Sequence, residues 1–117
     1  MTIRECYDAM GGNYADVEGR LRTEERIKKF VLRVLNDSSY ELLCKSIEDR
    51  NMPEAFRAAH TIKGICQNLS LDRLYESSNN LAELLRNKED YSADLEPVLE
   101  KVKEDYQVTI DCIKQLD

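Results

Sequence analysis

The sequence has few residues that interrupt helices and few that bind metals. Its 117 residues include four glycines, two prolines and no tryptophan, and the only histidine is His60. Glycine and proline together make up about half of their usual share, which favours long helices. A single histidine supplies a zinc site poorly, because such sites draw on clustered histidines and cysteines.

Basic residues are also in short supply. Seventeen Lys and Arg face 23 Asp and Glu, so the formal net charge is −6. This balance argues against a nucleic-acid-binding protein and against a polybasic membrane anchor. No apolar run approaches the ~20 residues of a spanning helix, and the N-terminus lacks the apolar core of a signal peptide. We therefore expect a cytoplasmic protein that binds neither nucleic acid nor membranes.

Four cysteines are spread along the chain without a Cys-x-x-Cys pair: Cys6, Cys44, Cys66 and Cys112. Two disulfides are arithmetically possible. Free, buried thiols are the expectation for a cytosolic protein, in which cysteine behaves as a small apolar residue.

Apolar residues recur at three- and four-residue spacing throughout, and no alternating window competes as a strand. Short helices are predicted within residues 1–36, with Gly11 and Gly12 ending the first and Thr23 capping a later one. Longer helices are predicted to follow, and their N-termini are marked by four candidate caps: Ser38 with Glu41, Asn51 with Glu54, Ser70 with Asp72, and Asp94.

These elements predict an all-α fold. Four long helices joined by short connections favour an up-down-up-down four-helix bundle over residues 38–117. The short helices of residues 1–36 are then expected to cover one end of it. The whole chain, residues 1–117, is predicted to form one domain.

One predicted helix carries more than a core stripe. On a helical wheel its buried seam includes Ala55, whereas His60 lies about 140° away from that residue. Lys63 and Gly64 follow His60 by one turn, and Phe56 precedes it by one turn. A neutral imidazole is a nucleophile, and a nearby lysine supplies positive charge for an added phosphoryl group. A glycine within a helix costs about 1 kcal/mol relative to alanine, which indicates a need for open space beside the ring.

The run AHTIKGICQNL at residues 59–69 resembles the A-H-x-x-K-G signature of histidine-containing phosphotransfer (HPt) domains. The opening residues 5–14 resemble stand-alone bacterial members of this family. The resemblance implies that His60 accepts the phosphoryl group at Nε2, that Lys63 stabilises its charge and that Gly64 gives access. Ser70 stands where the family usually has glycine, at the end of the helix.

The resemblance further implies a relay in multistep two-component signalling. A receiver-domain phosphoaspartate would transfer its phosphoryl group to His60, which would pass it to another receiver. The implied partners are response-regulator receivers and a hybrid sensor histidine kinase, and the implied state is a monomer. Gln67 would hydrogen-bond the imidazole or the phosphoryl oxygens, and Phe56 would belong to a receiver-docking patch. No GxxxxGK[ST] loop is present, so we expect a phosphotransfer intermediate without a cofactor, to which the receiver brings Mg²⁺.

Three alternatives remain at this point. A non-catalytic helical adaptor would dock on a receiver or kinase without needing His60. A carboxylate-bridged metal bundle would need Glu-x-x-His pairs, and Glu54 and Glu83 lack a histidine three residues later. An excised piece of a hybrid kinase is the third alternative. Against it, Met1 and the absence of a linker favour a stand-alone protein.

Overall fold

The computed structural model describes all 117 residues, which form seven α-helices, a short 3₁₀ turn and no strand. The prediction of an all-α chain is confirmed. The helices are α1 (Ile3–Met10), α2 (Tyr14–Leu21), α3 (Glu24–Leu32), α4 (Ser39–Glu48), α5 (Met52–Leu69), α6 (Asp72–Leu85) and α7 (Leu95–Lys114), and the 3₁₀ turn spans Arg33–Asn36 after α3.

The short N-terminal helices begin and end at the residues that local chemistry favours. The hydroxyl of Thr2 accepts a hydrogen bond from the backbone N–H of Glu5, which starts α1. Gly11 ends it in the left-handed conformation, at φ 72°, which glycine adopts without a steric penalty. The side chains of Asn13 and Thr23 cap α2 and α3 in the same manner as Thr2.

Three of the four predicted caps of the longer helices are wrong, those at Ser38, Asp94 and Ser70. Ser38 and Asp94 precede α4 and α7, but neither side chain accepts a hydrogen bond from its helix. The carboxylate of Asp37 takes the N–H of Ser39 instead, at 2.8 Å. The hydroxyl of Ser92 donates to Asp94, which engages that carboxylate outside the helix. Asp37 thus binds the first N–H of α4, whereas the N–H groups of Leu95 and Glu96 in α7 bond the backbone carbonyls of Ser92 and Ala93.

Of the two caps predicted on either side of α5, one is confirmed and one is wrong. Asn51 accepts the N–H of Glu54 at 3.2 Å, as predicted, and Pro53 lies in the first turn, where a missing N–H costs no helix bond. Ser70 does not cap α6, because it ends α5 in the left-handed conformation at φ 55°. Leu71 therefore occupies the N-cap position of α6 without a side-chain bond.

Helix α5 occupies the centre of the fold. It packs against α4 and α6, and α6 packs in turn against α7. Helix α1 contacts α2, α3 and α7, and α3 also contacts α5. One cluster of 27 buried apolar residues includes members of all seven helices, so the short helices share the core of the long ones.

Tyr7 fixes the N-terminal region to the end of α5. Its side chain is fully buried, and its hydroxyl donates to the carbonyl of Leu69 at 2.7 Å. The backbone N–H of Asn13 donates to the carbonyl of Ser70 at 2.8 Å, a few residues further along each segment. These bonds satisfy carbonyls at the C-terminus of α5 that have no partner within that helix.

All four cysteines are free, as expected, and three of them are buried. Burial raises the pKa of Cys6 to about 11 and that of Cys66 to about 12, because a thiolate is poorly solvated in an apolar core. The thiols of Cys6 and Cys66 are therefore neutral and unreactive near pH 7.

We expect the free energy of unfolding to fall as the pH rises above about 9. A thiol in the unfolded chain ionises near pH 8.5, whereas the folded protein keeps Cys66 protonated up to about pH 12. The buried thiol therefore contributes its full stabilisation below the pKa of the unfolded chain. As the pH rises from there towards the pKa of the folded protein, the free energy of unfolding falls by up to about 1.4 kcal/mol per pH unit for one thiol. Urea unfolding between pH 8 and 11 measures this, with Cys66→Ala as the control that should show a shallower slope. Equal slopes for the two proteins would contradict the prediction.

Candidate functional site

His60 lies in the middle of α5 and is exposed to solvent. The seam on the other side of the helix is buried: Ala55, Ala59, Ile62, Cys66 and Leu69. Neither ring nitrogen of His60 forms a hydrogen bond with another residue. The imidazole is therefore held by the helix backbone while its nitrogens remain open to a reaction partner.

The other predicted site residues surround this ring on the same helix. The ring of Phe56 stacks on that of His60 with centroids 5.8 Å apart and an interplanar angle of 27°. Lys63 and Gly64 are partly buried, and Gln67 is exposed. The side chain of Gln67 makes no hydrogen bond to His60 in the unmodified protein, and its bond to the imidazole or to phosphoryl oxygens stays a prediction.

Gly64 has open space around it. A methyl group built at its α-carbon would meet no atom within 4 Å outside its own helix backbone and chain neighbours. Local packing therefore does not require glycine at this position, and α5 would be more stable with alanine there. The missing side chain instead leaves the backbone bare one turn beyond His60.

Two charged residues at the C-terminal end of α6, Glu83 in its last turn and Arg86 just after it, were not predicted as site residues. The guanidinium of Arg86 lies 5.2 Å from the centroid of the Phe56 ring, on which His60 also stacks. Arg86 donates to the carboxylate of Glu83 at 3.0 Å. This bond lowers the pKa of Glu83, and the charge of Lys63 lowers it further by a smaller amount.

A shallow groove lies beside this stack, between the first turns of α5 and the segment that follows α6. Its charged lining residues are Arg57, Arg86, Lys88 and Glu89. Arg57 lies one turn before His60 and pairs with Glu54 at 2.5 Å. Arg86 and Lys88 are likewise paired, with Glu83 and Asp94. Lys63 is in no ion pair, so it is the cation that can attract an anionic group to the imidazole.

A comparison with known protein families identifies the family of this chain. The family described as Hpt domain matches residues 32–116, which include α4 to α7 and the whole of the motif around His60. The chain belongs to the Hpt domain family. No curated protein and no solved structure matches it significantly.

Hpt domains take part in histidine phosphotransfer in phosphorelay signalling and interact with receiver domains of response regulators. The resemblance inferred from the sequence is thereby confirmed. Helices α1 and α2, and all of α3 except Leu32, lie outside the matched residues. Helices α1 and α2 contribute residues to the core and also support the end of α5.

Arg20 of α2 provides most of that support. Its guanidinium donates to the carbonyls of Gln67 and Asn68, each at 3.0 Å, and to the hydroxyl of Ser70. That hydroxyl donates in turn to Asp16 at 2.6 Å, and Arg20 donates to the same carboxylate at 2.9 Å. Both bonds lower the pKa of the Asp16 carboxyl. The serine thus gains side-chain bonds that offset the left-handed backbone, where the family usually has glycine.

The structure shows neither a metal-binding cluster nor a membrane-spanning helix. No three His, Cys, Asp or Glu side chains lie close enough together to hold a metal ion. None of the helices combines the length and the apolarity needed to cross a bilayer.

Proposed function

We propose that this Hpt domain carries a phosphoryl group on His60, taking it from the phosphoaspartate of one receiver domain and giving it to another. The observation that carries the proposal is the exposure of the only histidine on α5, within the family motif and beside the open backbone at Gly64. Lys63, one turn further along, supplies positive charge for the group that is transferred.

The chemical step requires little from the Hpt domain itself. The lone pair of Nε2 attacks phosphorus, the bond to the aspartyl oxygen breaks, and its electron pair leaves with the carboxylate of the receiver. The proton on Nδ1 stays in place during this step. Because phosphoryl transfer depends mainly on positioning and charge, an exposed ring with a nearby cation is sufficient on this side. The receiver supplies the aspartate and, we propose, Mg²⁺, and the Hpt domain supplies no cofactor.

We also propose how the helices are arranged and where the protein acts. Helices α4 to α7 form an up-down-up-down bundle, which the short connections at residues 49–51 and 70–71 and the packing order support. Residues 1–36 cover one end. The protein acts as a cytoplasmic monomer, and its receivers include that of a hybrid sensor kinase.

The test is transfer from freshly phosphorylated receiver domains to the wild-type protein. We expect a label that is lost in acid and kept in alkali, as a phosphorus–nitrogen bond requires. If none of several receivers labels the folded protein, the relay proposal fails and the non-catalytic adaptor becomes the better explanation. Circular dichroism on the same sample verifies that the helices are intact.

A further inference from the structure

Two helices build a stack of side chains next to the phosphoacceptor. The rings of His60 and Phe56 lie 5.8 Å apart, and the guanidinium of Arg86 lies 5.2 Å from the Phe56 centroid. The Phe56 ring thus contacts both the imidazole and a guanidinium from the C-terminal end of α6. Lys63 is a second cation, one turn after His60 on α5. An arginine over an aromatic ring is held in position while its donors remain available at the rim of the guanidinium.

In the unmodified protein this cation is already engaged. Arg86 bonds Glu83 at 3.0 Å, and both side chains are about half exposed, at 47 and 53%. The same carboxylate lies within range of the charge of Lys63. An exposed ion pair of this kind is weak, so a stronger anion nearby can compete for the guanidinium. A phosphoryl group offers up to two negative charges and three acceptor oxygens.

We propose that Glu83 is a resting counter-ion of the site: it holds Arg86 until His60 is phosphorylated and then yields it to the phosphoryl group. Glu83 is a positioning residue in this role, because it touches neither His60 nor the reacting atoms. The inference rests on the proposed function of His60 and adds to it a residue that sets how far transfer proceeds.

The direction of the effect follows from charge. Glu83 competes for Arg86 and repels the phosphoryl group, so its carboxylate raises the free energy of phospho-His60. The phosphoryl group is then passed on to a receiver aspartate more readily. Replacing the carboxylate by an amide should leave the N–P bond chemistry unchanged and shift the equilibrium towards phospho-His60.

The experiment measures the equilibrium between one phosphorylated receiver and the Hpt domain. We expect Glu83→Gln to increase the ratio of phospho-His60 to phospho-receiver by about two- to fivefold at low salt, and less at high salt. Arg86→Gln should lower the ratio. Glu24→Gln is the matched control, since Glu24 is an exposed partner of Arg4 at 3.3 Å on the distant end of α3, and its ratio should equal that of the wild type.

A second measurement separates this proposal from the proposed function. Phosphoramidate, a small phosphoryl donor, labels histidine without a receiver, and ³¹P spectra then follow the ionisation of the phosphoryl group on His60. Loss of the Glu83 charge should lower the pKa of that group, while Glu24→Gln should not change it. Equal equilibria and equal phosphoryl pKa values in the three proteins would overturn the role of Glu83 while leaving the relay intact. A wild type that no donor labels at His60 would overturn both.

Discussion

A His60→Gln protein is expected to take up no phosphoryl group from any receiver that labels the wild type. His60 is the only histidine in the chain, and the amide nitrogen of glutamine has no free lone pair with which to attack phosphorus. The fold should be unaffected, because the ring is exposed and neither of its nitrogens bonds another residue. We expect the free energy of unfolding to change by less than about 0.5 kcal/mol.

The two proteins are compared in the same transfer reaction, with their unfolding curves measured in parallel. A His60→Gln protein that gains acid-labile label like the wild type would show that another group accepts the phosphoryl. A label that survives acid would indicate a side reaction at a hydroxyl instead. If the unlabelled variant nevertheless supports signalling in cells, the adaptor alternative is correct.

The part of the site that could be predicted from the sequence is the part that lies on one helix. His60, Lys63 and Gly64 occupy one stretch of α5, so the 3.6-residue period alone relates their positions. Arg86 and Glu83 reach the same place only because α6 packs against α5. Their three-residue spacing predicts an ion pair on a helix surface, but it does not predict which residues of the neighbouring helix that pair will contact.

The helix caps also show that local sequence does not predict contacts with distant parts of the chain. Thr23 and Asn51 cap as predicted, because each accepts an N–H three residues ahead and needs nothing else. Ser70 departs from its prediction because Arg20 and Asp16, about fifty residues earlier, engage its hydroxyl. Tyr7 received no role in the sequence analysis, since its bond to Leu69 likewise joins distant parts of the chain. Local chemistry thus determines a cap only where tertiary contacts do not compete for the same group.

Gly64→Leu is expected to stabilise the protein and to impair its reaction with receivers. Leucine favours a helix interior over glycine by about 0.5–1 kcal/mol, and the space around Gly64 accepts a β-carbon without contact. Side chains on a helix lean towards its N-terminus, so the new side chain would lie over His60, one turn earlier. It would keep a receiver from its in-line approach, and a displacement of about 1 Å is enough to reduce such a rate by about 100-fold.

Gly19 supplies the matched control for this prediction. It lies in α2, and a β-carbon at that position also meets no atom within 4 Å, so Gly19→Leu should give a similar gain in stability. Transfer from a receiver should then be slowed by Gly64→Leu alone, whereas labelling by phosphoramidate should suffer far less because that donor is small. If both variants transfer at the wild-type rate, the open backbone at Gly64 has no part in receiver access. If Gly64→Leu blocks both donors equally, its side chain covers the imidazole itself, and the space at Gly64 serves the phosphoryl group rather than the docked partner.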